Sequence, residues 1–445
     1  MSDWLAKIFR KFLPAPFTIA VILTVFTFIL AYFFNTNTEE KPIASLLLFW
    51  EKGLWDKNLL VFAFQMMLML VLGHVVALSQ TVNTIIEKMS TLFTNTAQAA
   101  ALVTILTLLV SLFNWGLGLI FGAILARKVG EYATKNNIKL HYPIIGAAGY
   151  SGLMVWHGGI SGSAPIKIAE QGHFMQDKIG VISQDATIFS SMNLSVSLVL
   201  LIVLPMLMYF LGKKSKGQKM ELKSSEIHTE KQDLIGAEKL DNSNYIGIGF
   251  GAIIILFCLY KALVLPEQLS LSFITPNYIN LFLLGLAIVL HRNFNQFLNG
   301  VSKAINGSSG ILIQFPLYFG IMGLMKYSGM VTVFSDFFVQ ISNSTTFPIF
   351  TFISAGIVNI FVPSGGGQWA VQGPIIIEAA TQLGVPYWKA IMALAYGDQT
   401  TNMLQPFWAL PLLGITGLKA KEILPYTLIL MIAGSAIFIT GLLVF

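Results

Sequence analysis

Asn-Ile-Phe-Val-Pro-Ser-Gly-Gly-Gly-Gln-Trp-Ala-Val-Gln-Gly-Pro, residues 359–374, lies inside a run that is too apolar for a soluble loop and too rich in glycine for an uninterrupted helix. Pro363 and three consecutive glycines disfavour a continuous helix. The pattern therefore predicts a helix broken inside a membrane. Because unpaired backbone groups are costly in hydrocarbon, such a break must face protein or a water-filled cavity. A binding site is the usual reason; the alternative is that the glycines only allow close helix packing.

The composition is that of a polytopic membrane protein. Of 445 residues, 55% are hydrophobic and only 11% are charged, and the mean hydropathy is +0.73, far outside the range of soluble domains. The single Cys258 excludes an internal disulfide and a cysteine metal cluster. We predict no cofactor and no nucleic-acid partner. Five apolar stretches are long enough to cross a bilayer core of about 30 Å: residues 13–34, 58–79, 187–212, 244–265 and 423–445.

Basic residues orient these spans by the positive-inside rule. Lys7, Arg10 and Lys11 precede the first span, which predicts a cytoplasmic N-terminus. The count predicts nine spans, two re-entrant hairpins and an external C-terminus. Three segments follow in order, namely a first transmembrane repeat (residues 1–212), a cytoplasmic linker (213–243), and an inverting helix with the second transmembrane repeat (244–445).

Two segments have the pattern of hairpins and two that of discontinuous helices. Residues 97–126 carry no charge and are interrupted by Asn-Trp-Gly-Leu-Gly at 114–118, so they form either one tilted helix or two half-length helices folded back as a hairpin. The basic residues that follow favour the hairpin. Residues 347–381 repeat the pattern, and glycine, proline and polar residues interrupt the spans 141–166 and 388–416.

The interruptions have the same spacing in both halves. Asn114 precedes Tyr150 by 36 positions, and Asn359 precedes Tyr396 by 37. The extra span at 244–265 reverses the second half relative to the first. The sequence thus predicts an all-α polytopic membrane protein, an inverted repeat with two re-entrant helical hairpins and two discontinuous transmembrane helices. This is the architecture of a secondary transporter with its site near the membrane midplane.

The motif from Phe361 to Pro374, followed by Tyr-Gly-Asp-Gln-Thr-Thr-Asn at 396–402 and by Trp408, resembles the bacterial short-chain fatty acid transporter family. That family is similar to the wider ion transporter superfamily, in which two hairpins and two unwound helices hold a carboxylate and its coupling cation. The resemblance implies short-chain monocarboxylates such as butyrate or acetoacetate. It also implies a homodimer embedded in the lipid of the bacterial inner membrane. Composition and spacing alone indicate only a carrier of small solutes.

The breaks supply the candidate substrate site. Half-helices that begin after the glycines present unpaired N–H groups and a positive dipole end, which suit a carboxylate. Ser364 and Gln368 either add donors or cap the following half-helix. Trp156, Trp369 and Trp408 either line the cavity or lie at the membrane interface. The predicted substrate-binding residues are Asn114, Gly116, Ser161, Ser163, Ser364, Gly365, Gly366, Gly367, Gln368 and Trp369.

Asp398 is the only acid in either broken helix, and its counterpart in the other half is Gly152. An ionisable residue at membrane depth is a functional candidate by default. We predict that Asp398 binds the coupling cation, H⁺ or Na⁺; the alternative is a structural hydrogen bond. Asn359 either joins a cation shell or ties its hairpin to a neighbour. A sodium ion at Asp398 would draw further oxygen ligands from Asn359, Thr400, Thr401 and Asn402.

These residues, taken with the family resemblance, predict cation-coupled uptake, and the resemblance implies that the substrate is a short-chain monocarboxylate. A dicarboxylate or another small organic anion is the second hypothesis, disfavoured because the two breaks contain no Arg to clamp a second carboxylate. A passive anion channel is the third, disfavoured because the polar residues are concentrated in two breaks. His157, Ser161 and Ser163 suggest nucleophilic catalysis, but no G-x-S-x-G elbow or acid partner accompanies them. We therefore predict no enzymatic activity.

Overall fold

The computed structural model describes residues 16–34, 42–89, 91–219, 222, 236–265, 273–305, 309–361 and 365–445. The predicted all-α fold is confirmed over these residues, where one isolated antiparallel bridge joins Leu140 and Gln218. Among the described helices, five are long and apolar enough to cross a membrane. These five are Lys57–Leu78, Thr96–Phe113, Ser191–Lys214, Asn244–Leu263 and Ala420–Val444.

The helices of the described residues are numbered here in chain order. Those of the first half are α1 (Pro16–Phe34), α2 (Pro42–Leu54), α3 (Lys57–Leu78), α4 (Gln80–Met89), α5 (Thr96–Phe113), α6 (Trp115–Lys135), α7 (Tyr142–Tyr150), α8 (Ser163–Lys167), α9 (Gln176–Ile179) and α10 (Ser191–Lys214). Those that follow are α11 (Glu238–Asp241), α12 (Asn244–Leu263), α13 (Pro276–His291), α14 (Phe294–Ala304), α15 (Ser309–Tyr327), α16 (Met330–Ile341), α17 (Phe347–Phe361), α18 (Gly365–Leu383), α19 (Tyr387–Thr401), α20 (Pro406–Thr416) and α21 (Ala420–Val444).

The first hairpin consists of α5 and α6, and its tip is the single extended residue Asn114. One continuous tilted helix over this segment is therefore wrong. The arms have 18 and 21 residues, about 27 and 31 Å at 1.5 Å per residue, so they are longer than the predicted half-length helices. The tip lies against the middle of α3, where a Cβ on Gly116 would be 2.9 Å from the Cα of Leu70. The base lies beside the start of α7, since the His141 N–H donates to Thr96 Oγ1 over 3.1 Å.

The second hairpin consists of α17 and α18, and residues 362–364 between them lie outside the described residues. Its second arm begins at Gly365, so the prediction that the half-helix begins after the glycines is wrong. The base lies at the opposite end of the first broken helix from His141. There Phe347 and Ala380 share a buried cluster with Ile168, which follows α8. The bases of the two hairpins therefore lie at opposite ends of the first broken helix.

Both predicted discontinuous helices are interrupted. The first consists of α7, two 3-10 turns (Ser151–Met154 and Trp156–Gly158) and α8. The second consists of α19, the 3-10 turn Asn402–Leu404 and α20. The sequence predicted its interruption at Tyr396–Asn402 and at Gln405–Pro406. The chain stays α-helical through Thr401, so the first of these positions is too early and the second agrees with the structure. The break lies where Pro406 restricts the residue before it to extended backbone.

Short helices occupy parts of the chain that lack a strong hydropathy signal. The helix α2 lies between the predicted spans 13–34 and 58–79. It packs closely on α15, where a Cβ on Gly53 would be 2.8 Å from the Cα of Gly323. Residues 220, 221 and 223–235 of the predicted linker 213–243, and the basic residues before the first span, lie outside the described residues.

Candidate functional site

A small cavity lies where both hairpin tips meet both broken helices. The first hairpin contributes Trp115, and the second contributes Gly365 and Gly366. The cavity measures about 20 Å³, space for about one water molecule. A four-carbon acid therefore requires its walls to move apart. The other lining residues come from the broken helices (Leu153, Trp156, Ser163, Asn402, Trp408), from α3 (Met66) and from α15 (Phe315).

Aromatic rings form one wall of the cavity. Trp115 lies between two other indoles, with its ring centroid 5.8 Å from that of Trp156 and 5.4 Å from that of Trp408. Trp156 in turn stacks on the His157 imidazole, at 4.4 Å and an interplanar angle of 15°. The predicted lining role of Trp156 and Trp408 thus agrees with their position, and the stack connects the cavity wall to a histidine behind it.

His157 and Asp398 form a buried pair that joins the two broken helices. The Nδ1 of His157 lies 2.8 Å from Oδ2 of Asp398, and both side chains are fully buried. The Ala164 N–H donates to Nε2 of His157 over 3.1 Å, so Nε2 is an acceptor and the ring proton lies on Nδ1. His157 therefore donates to the carboxylate as a neutral imidazole. Among the described residues, Oδ1 of Asp398 has no hydrogen-bond partner.

The second hairpin approaches this pair closely. A Cβ on Gly365 would lie 3.2 Å from Oδ2 of Asp398 and 2.8 Å from Cε1 of His157. Only glycine fits there without displacing the pair. Gly365 is the first residue of α18, so the N-terminal turn of this helix lies beside the carboxylate. The sequence offered two roles for these glycines, close packing and a helix end at a binding site. Gly365 packs closely and also lies at the start of a helix beside the cavity.

Asn359 acts as a donor toward the second broken helix. Its Nδ2 lies 2.8 Å from the Asp398 carbonyl oxygen, 3.0 Å from Thr401 Oγ1 and 2.8 Å from Asn402 Oδ1. Thr401 Oγ1 donates to the Gly356 carbonyl oxygen over 2.9 Å. Asn359 therefore ties its hairpin to the neighbouring helix. Its own Oδ1 is unpartnered in the described part of the chain.

The candidate residues of the first half fall into two groups. Asn114 caps α6, since its Oδ1 accepts the backbone N–H of Leu117 over 2.7 Å, and Ser161 Oγ accepts the backbone N–H of Trp115 over 2.9 Å. With Gly116, which packs on α3, they hold the tip in place without lining the cavity. Ser163 lines it, and its hydroxyl faces the Met66 sulfur at 3.6 Å.

The remaining candidates lie around the second hairpin. Thr400 Oγ1 donates to the Tyr396 carbonyl oxygen over 2.6 Å. Gln368 links the two arms, because its Nε2 donates to the Ala355 carbonyl oxygen over 2.8 Å. Trp369 lies away from the cavity, in a second buried cluster, with its ring 6.1 Å from that of Phe174. Gly367 is buried in the first turn of α18, and Ser364 lies outside the described residues.

Sequence reasoning did not assign His157 and Trp115 to the site, nor the apolar lining residues Met66, Leu153 and Phe315. His157 entered only the rejected enzyme hypothesis, although it is the partner of Asp398. Its Nε2 binds the Ala164 amide and not a serine hydroxyl, so no nucleophile–base pair forms. Trp115 was quoted at the hairpin tip but received no role. Its position directly after the tip asparagine was the available signal.

The model of the family described as "Short chain fatty acid transporter" matches residues 1–445. An Escherichia coli (strain K12) protein named "Putative short-chain fatty acid transporter" is 34% identical over 452 residues, covering 100% of this chain and 99% of that protein. A Haemophilus influenzae protein of the same name is 34% identical over 455 residues, covering 99% and 98%.

Two solved transporters have a similar fold. The YdaH transporter of Alcanivorax borkumensis aligns with a TM-score of 0.60 and 13% identity, covering 96% of this chain and 98% of that one. MtrF of Neisseria gonorrhoeae, described among antimetabolite efflux pumps, aligns with a TM-score of 0.60 and 13% identity, covering 98% and 97%. At this identity the likeness concerns the fold alone.

Proposed function

The chain belongs to the short-chain fatty acid transporter family, and from that premise we propose that it takes up short-chain monocarboxylates, such as butyrate or acetoacetate, by symport with a cation. The substrate binds in the cavity between the hairpin tips, and the cation binds at Asp398. The carrier works as a homodimer in the bacterial inner membrane, with its N-terminus in the cytoplasm. The family resemblance supports the homodimer and the inner membrane, and the basic residues before the first predicted span support the cytoplasmic N-terminus.

The observation that carries the proposal is the composition of the cavity wall. Both hairpin tips and both broken helices contribute to it. In carriers built from two repeats, movement of one repeat against the other opens a central site to one side of the membrane at a time. A cavity enclosed by both halves is what such a movement needs. Its small volume fits a closed conformation between the two open ones.

The lining also supports a monocarboxylate. Indole, phenyl, thioether and leucine side chains dominate the wall, and none of the described lining residues carries a charge. An apolar wall suits a short acyl chain. A second carboxylate buried there would need a partner of its own, so a dicarboxylate is disfavoured.

Uptake of an anion requires coupling. A membrane potential that is negative inside opposes its entry by about 2.3 kcal/mol per charge per 100 mV. At least one cation must therefore accompany each carboxylate for accumulation. Asp398 is fully buried and adjoins the cavity through Gly365, which supports it as the group that holds that cation.

A proton fits Asp398 better than sodium does. Both ring nitrogens of His157 are engaged, one with Asp398 and one with Ala164, so an incoming proton binds at the free Oδ1 of Asp398. Two of the oxygens predicted for a sodium shell, Asn402 Oδ1 and Thr401 Oγ1, accept from the amide of Asn359, whereas Oδ1 of Asn359 is unpartnered in the described part of the chain. Sodium would have to displace that amide.

Transport into proteoliposomes tests the proposal. Unlabelled butyrate inside the vesicles should accelerate entry of labelled butyrate, and succinate should not replace it. An imposed inward proton gradient should drive accumulation, and a sodium gradient at constant pH should not. Absence of trans-acceleration would overturn the carrier in favour of a channel, and accumulation driven by sodium alone would overturn the proton assignment.

A further inference from the structure

Two buried donors in the cavity wall lack partners. Trp115 and Trp156 are 5% and 6% exposed, and within the described residues neither indole N–H has a hydrogen-bond acceptor. An indole nitrogen can only donate, and a buried donor without an acceptor costs free energy. Both residues line the same cavity, and their ring centroids are 5.8 Å apart. Two uncompensated donors on neighbouring side chains of one cavity wall leave room for an acceptor that arrives from outside the chain when the cavity opens.

The rest of the wall does not supply that acceptor. Ser163 directs its hydroxyl to the Met66 sulfur, and Asn402 Oδ1 accepts from Asn359. The neighbouring carboxylate, Asp398, is bonded to His157 through Oδ2, and its free Oδ1 receives no hydrogen bond from either indole. An anionic oxygen ligand would form charge-assisted bonds to the indoles, which are stronger than bonds to a neutral carbonyl or hydroxyl.

We propose that the indole N–H groups of Trp115 and Trp156 together bind the carboxylate of the substrate. The proposal rests on the proposed function and deepens it, because it names the groups that recognise the anion. Neutral donors replace the usual Arg or Lys. The ligand class is a carboxylate with a short acyl chain, held against Phe315 and Leu153 on the apolar part of the wall.

The same indole connects the anion to the coupling group. Trp156 stacks on His157 at 4.4 Å, and His157 bonds to Asp398 at 2.8 Å. A carboxylate bound at Trp156 therefore lies one ring away from the Asp398 pair. Like charges repel strongly in a poorly solvated site, so a bound anion favours a proton on Asp398. Substrate and proton then bind together, as symport requires.

Tryptophan-to-phenylalanine variants test the inference in butyrate counterflow. Trp115→Phe and Trp156→Phe keep an aromatic ring but remove the N–H, so each should raise the half-saturation concentration for butyrate about tenfold or more. Trp369→Phe is the matched control, because its indole N–H is also buried and unpartnered among the described residues but lies in the second cluster. It should stay within about twofold of the natural protein.

A direct measurement needs no variant to transport. The chain has eight tryptophans, so ¹⁵N-tryptophan labelling gives a small set of indole N–H resonances, assigned with the same three variants. Butyrate should shift the Trp115 and Trp156 resonances and leave the Trp369 resonance nearly unchanged. n-Butanol, which lacks the carboxylate, should shift none of the three.

The outcomes separate the two proposals. If the natural protein shows no butyrate counterflow, the proposed function fails. If it exchanges butyrate but the Trp115 and Trp156 resonances do not move at saturation, the inference fails and the function stands. An equal loss of affinity in Trp369→Phe would also overturn the inference, because general repacking would then explain all three variants.

Discussion

The two halves share a plan but differ in chemistry at equivalent positions. Asp398 in the second broken helix corresponds to Gly152 in the first, and Gly152 has no room for a side chain, since its Cβ would lie 2.0 Å from Ser111 Oγ. The tip asparagines differ as well. Asn114 caps its own hairpin, whereas Asn359 binds the neighbouring helix. A repeated fold can therefore place a charge in one half only, because packing closes the equivalent position in the other.

The difference suggests a division of roles. The first half supplies the unpartnered indoles and the histidine, and the second half supplies the carboxylate and the helix terminus beside it. Substrate recognition would then belong mainly to the first half, and the coupling charge to the second. Variants that affect one role without the other test this division.

Asp398→Asn should give the largest effect. The amide keeps the shape of the side chain but cannot carry a proton through the cycle. We expect gradient-driven accumulation of butyrate to be abolished, while counterflow exchange is at least partly retained because the cavity wall is unchanged. Asp185→Asn, on an exposed loop, is the matched control. Full accumulation by Asp398→Asn under a proton or sodium gradient would contradict the assignment of coupling to the second half.

His157→Ala should come next. It removes the N–H that orients Asp398, a hydrogen bond to a charged group, so accumulation should fall about tenfold while half-saturation for exchange changes less. His157→Asn should recover part of this loss, because its amide can donate from near the position of Nδ1. His173→Asn, at another buried histidine outside the pair, serves as control. Equal losses in His157→Ala and His157→Asn would indicate a packing role only.

The breaks could be predicted from sequence, and the contacts between them could not. Glycine, proline and an isolated acid in apolar runs located both broken helices and Asp398. His157 and Asp398 are 241 positions apart, and only tertiary packing brings them together. Glycine can break a helix or allow close packing, and the two uses look alike in sequence. Gly365 was expected to precede a helix but begins one. Its missing Cβ serves the close approach to His157.

Gly152→Ala tests why the first half lacks the charge. The added Cβ would meet Ser111 Oγ at 2.0 Å and Thr107 Cγ2 at 2.9 Å, so we expect destabilisation of about 1–3 kcal/mol, measured as a lower thermal unfolding midpoint in detergent. Gly249→Ala is the control, since nothing described lies within 4 Å of its Cβ position. Combining Gly152→Ala with Ser111→Ala should restore part of the midpoint. An unchanged midpoint in Gly152→Ala would remove the packing explanation.

The smallest effect is expected at the partly exposed ion pair between Lys178 and Glu378, near the base of the second hairpin. Lys178 pairs with Glu378 across the two halves, but its side chain is 41% exposed, so solvent screens the pair and Lys178→Ala should cost less than about 1 kcal/mol. Lys167 is 4% exposed and is bound by Glu170 at 2.6 Å. Glu170→Ala leaves that buried ammonium without its counter-ion, so it should lower the unfolding midpoint more than Lys178→Ala does. Equal shifts in the two variants would mean that burial does not distinguish these pairs. High salt should reduce the difference in unfolding midpoint between Lys178→Ala and the natural protein, but not the difference between Glu170→Ala and the natural protein.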